Sequence, residues 1–155
     1  MIQLNVHRSY HWKNVSRLNE ISAGYQHLYS LYQRRSQRVA DKLNALDEGE
    51  AVVCSVVKEE LFFGALRSQN PIKTMSGQRQ FLSLFISLPF DDAAAEHYGQ
   101  IRADLTTKGT PIGGNDLLIA AIALANGLTL ITHNTREFGR IAGLKIEDWE
   151  VGDEP

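Results

Sequence analysis

Residues 113–132 read GGNDLLIAAIALANGLTLIT and carry the pattern that decides the fold. Asn115 is a residue type that caps helices, residues 116–125 are almost all apolar, and Gly127 suits the end of a helix. The apolar run that follows, residues 128–132, is typical of a buried strand. A buried helix followed at once by a buried strand predicts an α/β fold.

The same alternation of helices and strands extends from about residue 36 to residue 149. Predicted helices cover residues 36–46, 56–65, 78–87, 92–107 (capped by Asp91 or Asp92) and 135–138, predicted strands cover residues 51–55, 88–90 and 144–146, and predicted loops cover residues 69–76 and 108–114. Strands that alternate with helices pair in a mostly parallel sheet. We therefore expect one α/β domain over residues 36–150.

Length and composition are those of an ordinary globular chain. The chain has 155 residues, of which 43% are hydrophobic and 22% are charged, and its net charge is −2. This charge gives no overall basic footprint for nucleic acid, although a local basic face would still bind phosphate. The longest apolar run, residues 117–125, is too short to cross a bilayer, and the polar start does not resemble a signal peptide. One cysteine, Cys54, excludes an internal disulfide, so we expect a cytoplasmic protein without membrane contact.

Three acidic residues lie at positions where α/β proteins commonly place their functional side chains. Glu60 follows the strand 51–55, Asp116 lies in the first turn of an apolar helix, and Glu137 follows the strand 128–132. Loops at the carboxyl ends of strands form the binding crevice of such sheets. Converging carboxylates there would bind Mg²⁺ and activate water against a phosphodiester. Each acid also has an ordinary explanation as a helix-capping or solvated charge, and spacing alone leaves both explanations open.

Three segments together resemble the PIN-domain ribonuclease toxins of the VapC family. They are residues 55–65 (SVVKEELFFGA), residues 101–121 with the motif GTPIGGND, and residues 130–149 with the motif ITHNTREF. The resemblance implies an RNase-H-like α/β/α sandwich and an endoribonuclease that uses Mg²⁺, or Mn²⁺ in its place. It also implies an RNA substrate, a cognate antitoxin and a homodimer.

The matched motifs transfer the family's functional positions to this chain. The resemblance implies that Glu60, Asp116 and Glu137 are catalytic acids that bind the metal. We further expect substrate contacts from four polar residues of the matched segments: Thr132, Asn134, Asn115 and Arg102.

The first 35 residues, here called the head, depart from the family's pattern. The family begins with a strand that ends in LDTN, whose Asp is a principal metal ligand, but the head contains no Asp and the first one is Asp41. Residues 1–24 follow neither a helical nor a strand period. We therefore predict that the first strand is missing or replaced and that the nuclease activity is impaired. The alternative function is a non-catalytic PIN remnant that only binds its antitoxin.

A shifted reading frame is our hypothesis for the origin of the head. Permitted codons for residues 19–34, read one base later, encode MKFLLDTNICILYIKG. This peptide has a start codon and an LDTN motif at the distance from Glu60 that the family requires. A single-base insertion or deletion near residues 34–36 would then join an out-of-frame head to a toxin body. The alternative is a genuinely diverged amino terminus, and codons that do not spell LDTN in the shifted frame would refute the hypothesis.

Overall fold

The computed structural model describes residues 4–6, 37–47 and 49–151, which contain a five-stranded sheet and the helices that cover it. The strands are β1 (Leu4–Val6), β2 (Ala51–Cys54), β3 (Ile86–Leu88), β4 (Thr129–Ile131) and β5 (Lys145–Glu147). The helices are α1 (Gln37–Asn44), α2 (Ser55–Leu66), α3 (Pro71–Leu82), α4 (Asp92–Thr107), α5 (Gly114–Ala125) and α6 (Thr135–Phe138).

The sheet has the strand order β3-β2-β1-β4-β5, with β1 at its centre. β2 and β3 are parallel to each other, and so are β4 and β5. β1 is antiparallel to both β2 and β4, so the predicted mostly parallel sheet is in fact a mixed one. The α/β class is confirmed, and the first strand is replaced rather than missing, because three residues of the head occupy its place.

The core lies on both faces of this sheet. Leu130 belongs to the large apolar cluster that the helices α2, α4 and α5 share, whereas its neighbour Ile131 packs with Trp149 in a second cluster. Successive residues of a strand point to opposite faces, so the two clusters lie on opposite sides of the sheet. Val39 and Leu43 of α1 pack against the second cluster, which gives the predicted three layers. No helix in the described part of the chain is long and apolar enough to cross a membrane.

One helix begins where the sequence predicts a loop. Residues 69–76 contain Pro71, but α3 starts at this proline, and the Asn70 side chain accepts a hydrogen bond from the Lys73 amide at 3.2 Å. Proline suits the first helical position because that amide has no partner within the helix. The predicted helix 78–87 is therefore the second half of α3, and β3 begins at Ile86 rather than at residue 88.

The remaining predicted elements lie within a few residues of the observed ones. Asp91 caps α4, as expected, by accepting a hydrogen bond from the Ala94 amide at 2.9 Å. The proposed domain boundary near residue 35 falls outside the described residues and stays a prediction.

Candidate active site

Asp116 is positioned by the amino-terminal turn of α5. The residue that caps this helix is Gly113, and the helix begins at Gly114, so the predicted cap at Asn115 is wrong. Buried apolar residues, among them Ile119 and Ile122, anchor α5 in the core. The two polar residues Asn115 and Asp116 therefore project from a fixed first turn, and Asp116 is half-buried there.

Glu60 is joined to this turn by a hydrogen bond between side chains. Asn115 Nδ2 donates to Glu60 Oε1 at 2.9 Å. Glu60 lies on α2, which starts directly after the carboxyl end of β2. Its side chain is exposed, so the carboxylate is oriented by Asn115 while it faces solvent.

The loop after β4 reaches the same turn from the other side. Asn134 Nδ2 donates to Asp116 Oδ2 at 3.3 Å. The loop is held by the Thr132 hydroxyl, which accepts a hydrogen bond from the Asn134 amide at 3.0 Å. Thr132 is only 2% exposed, so its hydroxyl stabilises the loop from a buried position. Three segments that are distant in sequence thus meet at one edge of the sheet.

Glu137 and Arg102 lie on the two helices that border this edge. Glu137 is half-buried on α6, whose residues follow Asn134 directly. Arg102 is exposed on α4 and lines a cavity of about 350 Å³ together with Thr106 and Gly114. Because Gly114 is the first residue of α5, this cavity opens beside the turn that carries Asp116.

The side chains of the site are the right kind for a hard cation but do not form a complete metal centre. Mg²⁺ and Mn²⁺ prefer oxygen ligands, which carboxylates and amides supply. Among the residues that the structure describes, no three His, Cys, Asp or Glu side chains lie close enough to hold a metal ion. The roles of Glu60, Asp116 and Glu137 as metal ligands, and of Thr132, Asn134, Asn115 and Arg102 as substrate contacts, stay predictions.

A second polar pair at this edge was not predicted from the sequence. His133 Nδ1 lies 2.8 Å from Asp148 Oδ2, and the Glu150 amide donates to Asp148 Oδ1 at 2.9 Å. Burial by itself raises the pKa of Asp148. The Glu150 amide and the His133 imidazole together lower this pKa by more than burial raises it, so the pKa lies below its ordinary value. The sequence did contain a signal for this pair, because His133 and Asp148 each follow the end of a strand, and these two strands, β4 and β5, are neighbours.

Cys54 has a structural place rather than a chemical one. It is fully buried at the end of β2, and it precedes the first residue of α2. Burial raises the pKa of its thiol, although the nearby Val57 and Val56 amides act in the other direction. A protonated thiol enclosed in the core is a poor nucleophile, which agrees with its interpretation as a small core residue.

Comparison with known proteins places this arrangement in a family. The sequence profile described as the PIN domain matches residues 27–144. The tRNA(fMet)-specific endonuclease VapC of Shigella flexneri is 43% identical over 111 residues, which cover 72% of this chain and 83% of that protein. Ribonuclease VapC2 of Haemophilus influenzae is 36% identical over 117 residues, covering 76% of this chain and 88% of that one.

Solved structures agree with the sequence comparison. A chain of the DNA-bound VapBC complex from Salmonella typhimurium superposes with a TM-score of 0.72 at 35% identity, covering 82% of this chain and 95% of that one. VapBC-1 from nontypeable Haemophilus influenzae gives a TM-score of 0.70 at 32% identity, covering 81% and 94%. With the fold, the matched profile and these relatives in agreement, the chain belongs to the PIN-domain family and, within it, to the VapC proteins.

Proposed function

We propose that this chain is a ribonuclease toxin of a toxin–antitoxin pair whose catalytic site is incomplete. Curated relatives that are 43% and 36% identical to this chain are named endonuclease or ribonuclease VapC. The observation that carries the proposal is the pair of hydrogen bonds from Asn115 to Glu60 and from Asn134 to Asp116. They gather carboxylates from α2 and α5 at the edge where α/β proteins bind their ligands.

Each residue of the site has a separate task in this proposal. Glu60, Asp116 and Glu137 are the side chains that would hold Mg²⁺ or Mn²⁺. Asn115 and Asn134 orient two of these carboxylates, which reduces the freedom that binding must remove. Arg102, beside the first turn of α5, is placed to bind an RNA phosphate.

Impairment follows from the one Asp that the resemblance requires near the start of the chain and that the head lacks. The head contains no Asp, and the first one, Asp41, is exposed on α1. α1 packs through Val39 and Leu43 on Ile131 and Trp149, so Asp41 belongs to a helix layer and not to the end of a strand. Fewer carboxylates bind a divalent cation more weakly, and the remaining acids repel each other with less charge to offset them.

RNA cleavage by the purified full-length chain tests the proposal. We expect weak cleavage that needs Mg²⁺ or Mn²⁺, stops with EDTA and is lost in Asp116→Asn. The matched control is Asp104→Asn, a half-exposed Asp on α4 that pairs with Lys108 at 2.6 Å and should leave cleavage unchanged. Strong cleavage that survives Asp116→Asn would contradict the assignment of Asp116. Strong cleavage that depends on Asp116 would contradict the impairment.

The absence of Asp from the head favours a second candidate, a non-catalytic PIN remnant that binds its antitoxin. α2 exposes a surface suited to a protein partner, because Phe63 is 56% and Leu66 is 63% exposed beside a cavity of about 510 Å³. Apolar side chains grouped in this way mark interaction sites. The matched structures from Salmonella typhimurium and Haemophilus influenzae are VapBC complexes, which agrees with an antitoxin as the partner. Antitoxin capture without any RNA cleavage would favour the remnant over the enzyme.

A further inference from the structure

A recess lies beside the candidate site, between α4 and the loop that leads into α5. It is the cavity of about 350 Å³ that Arg102 borders. Pockets for small ligands typically enclose roughly 300–1,000 Å³, so this volume suits one planar ring with its substituents and not a nucleic-acid helix. Its wall includes Tyr98, Arg102, Thr106, Pro111, Ile112 and Gly114.

The α4 side of the cavity combines an aromatic ring, a cation and a hydroxyl. Tyr98, Arg102 and Thr106 are spaced four residues apart and therefore share one face of the helix. Tyr98 is half-buried and packs against the large apolar cluster, and its ring meets that of Phe90 edge-on at a centroid distance of 5.9 Å. These contacts limit rotation of the tyrosine ring, so the cavity has an aromatic wall of fixed orientation.

The opposite wall comes from the loop between α4 and α5, whose backbone is held to the end of α4. The Gly109 amide donates to the Thr106 carbonyl at 3.0 Å, and the Thr110 amide donates to the Leu105 carbonyl at 2.9 Å. Gly109 has a φ of 66°, which a glycine adopts without strain. Ile112 anchors the far end of the loop by packing against the large apolar cluster. Because both walls are fixed in advance, binding a ligand here costs little ordering.

Arg102 gives the cavity a positive charge. None of the ion pairs among the described residues involves its exposed guanidinium. Asp104, two residues further along α4, pairs with Lys108 at 2.6 Å instead. A guanidinium binds phosphate and also stacks on planar rings. An aromatic wall next to such a cation is the chemistry with which proteins recognise unpaired RNA bases.

The cavity and the candidate acids meet at the first turn of α5. Gly114 lines the cavity, and Asp116 follows two residues later, which is about 3 Å along the helix axis. Between them lies Asn115, whose side chain binds Glu60. A ligand chain that has one ring in the cavity therefore continues directly past the carboxylates of the site.

We propose that this cavity, here called the nucleobase pocket, binds one unpaired base of the RNA next to the phosphodiester that is cut. Tyr98 stacks on the base, and Arg102 holds the adjacent phosphate. The proposal rests on the proposed function for the identity of the ligand as RNA. It adds that the RNA must be single-stranded at this position, because a base that is paired inside a helix does not reach such a pocket.

Binding of a fluorescein-labelled single-stranded RNA of about eight nucleotides tests the nucleobase pocket. Fluorescence anisotropy is measured with the full-length chain in EDTA, so that metal-dependent cleavage does not interfere. Tyr98→Leu should weaken binding at least about fivefold, because it removes the surface on which the base stacks. Tyr98→Phe is the matched control, and it should bind within about twofold of the parent chain because it keeps the ring. Undiminished binding by Tyr98→Leu, or an equal loss in both variants, would overturn the inference.

Two further ligands distinguish a base of an RNA chain from other occupants. The same RNA paired with its complement should bind at least about tenfold more weakly, and so should a free nucleoside monophosphate. Equal affinity for the duplex would show that no base enters the pocket. Equal affinity for the free nucleotide would make the pocket a small-molecule site. Either result, or an absence of RNA binding by the parent chain, would overturn the inference.

Photo-crosslinking of the unaltered chain gives a readout that does not depend on the folding of a variant. An RNA that contains one 5-iodouridine joins, on irradiation, to an aromatic ring that stacks on this base. Peptide mapping by mass spectrometry should find the crosslink at Tyr98, and crosslinks at other aromatic residues alone would contradict the assignment. None of these measurements involves cleavage, so their failure is distinct from failure of the proposed ribonuclease function, which the cleavage assay decides.

Discussion

Asp148 shows at the scale of one residue how the edge of the sheet is held. Its carboxylate accepts hydrogen bonds from the Glu150 amide and, when Nδ1 of His133 is protonated, from that ring. It thereby joins the segment after β5 to the segment after β4. A carboxylate held in this way favours its ionised form, and the pKa of Asp148 lies below the ordinary value of 3.8.

This lowered pKa predicts an acid-dependent part of the stability. The Asp148 contribution is fully present above the unfolded value near 3.8 and is lost as the pH falls through the lower folded value. Asp148→Asn should therefore reduce the free energy of unfolding at pH 7 by on the order of 1–2 kcal/mol. In urea titrations the difference between the two proteins should shrink below about pH 4.

Glu150→Gln is the matched control for this prediction. The Glu150 carboxylate is half-exposed and 3.9 Å from His133 Nδ1, while its backbone amide, which binds Asp148, is retained in the variant. We expect a change well below that of Asp148→Asn, because exposed charge pairs contribute little. An Asp148→Asn difference that stays constant from pH 7 to pH 3 would refute the linkage.

Sequence patterns predicted where the three acidic residues lie but not which side chains they contact. The positions of Glu60, Asp116 and Glu137 relative to the strands followed from the pattern of helices and strands. The hydrogen bond from Asn115 to Glu60 spans 55 residues, and no local pattern reports such a contact. Asn115 was predicted as a helix cap because asparagine is a residue type that commonly caps helices. Gly113 occupies the cap position instead, and the side-chain amide of Asn115 binds Glu60.

The helix α4 allows a prediction at the scale of one element. Asp91 accepts a hydrogen bond from the Ala94 amide at 2.9 Å and so satisfies one of the first unpaired donors of the helix. Asp91→Ala should lower the free energy of unfolding by about 1 kcal/mol, or the melting temperature by roughly 2–4 °C in a domain of this size. Thermal unfolding followed by circular dichroism measures this change.

Two variants separate the cap from the charge. Asp91→Asn keeps a side-chain oxygen that accepts the same hydrogen bond, so it should retain most of the stability. Asp92→Ala removes a neighbouring exposed acid of the first turn and should cost only its weaker interaction with the helix dipole. If Asp92→Ala destabilises the protein more than Asp91→Ala, the assignment of the cap is wrong.

Elements were predicted well where one signal dominated and badly where two signals competed. The apolar run of α5 and β4 left little choice, and the predicted helix 135–138 is α6. Residues 69–76 hold Pro71 and Gly77, which suggested a loop, yet a proline at the first helical position is favourable and one interior glycine is tolerated. Tertiary packing decides such cases, since Phe81 and Leu82 at the end of α3 are buried in the core.

At the scale of the whole molecule, the central strand β1 differs from the rest of the sheet in its direction. The large core cluster forms from residues within the segment that the PIN profile matches, whereas the central strand β1 comes from the head. The direction of that strand was beyond prediction, because a short strand of three residues carries no periodicity that fixes its orientation. The direction also bears on the candidate site, because Leu4 pairs with Ile131, so the first residue of β1 lies at the edge of the sheet that continues into Thr132.

Replacement of residues 1–34 by MKFLLDTNICILYIKG, joined to Arg35, tests this view of the whole molecule. A longer apolar central strand buries more surface and removes the reversed one, so the melting temperature should rise by several degrees, at about 2–4 °C for each kcal/mol gained. RNA cleavage with Mg²⁺ should increase at least about tenfold, which corresponds to about 1.4 kcal/mol of barrier.

The control changes the Asp of LDTN to Asn in the same chimera, which should keep the higher melting temperature and lose the added cleavage. A chimera that is less stable than the parent chain would show that the head has its own evolved place in the fold, and codons for residues 19–34 that do not spell LDTN in the shifted frame would agree with that result.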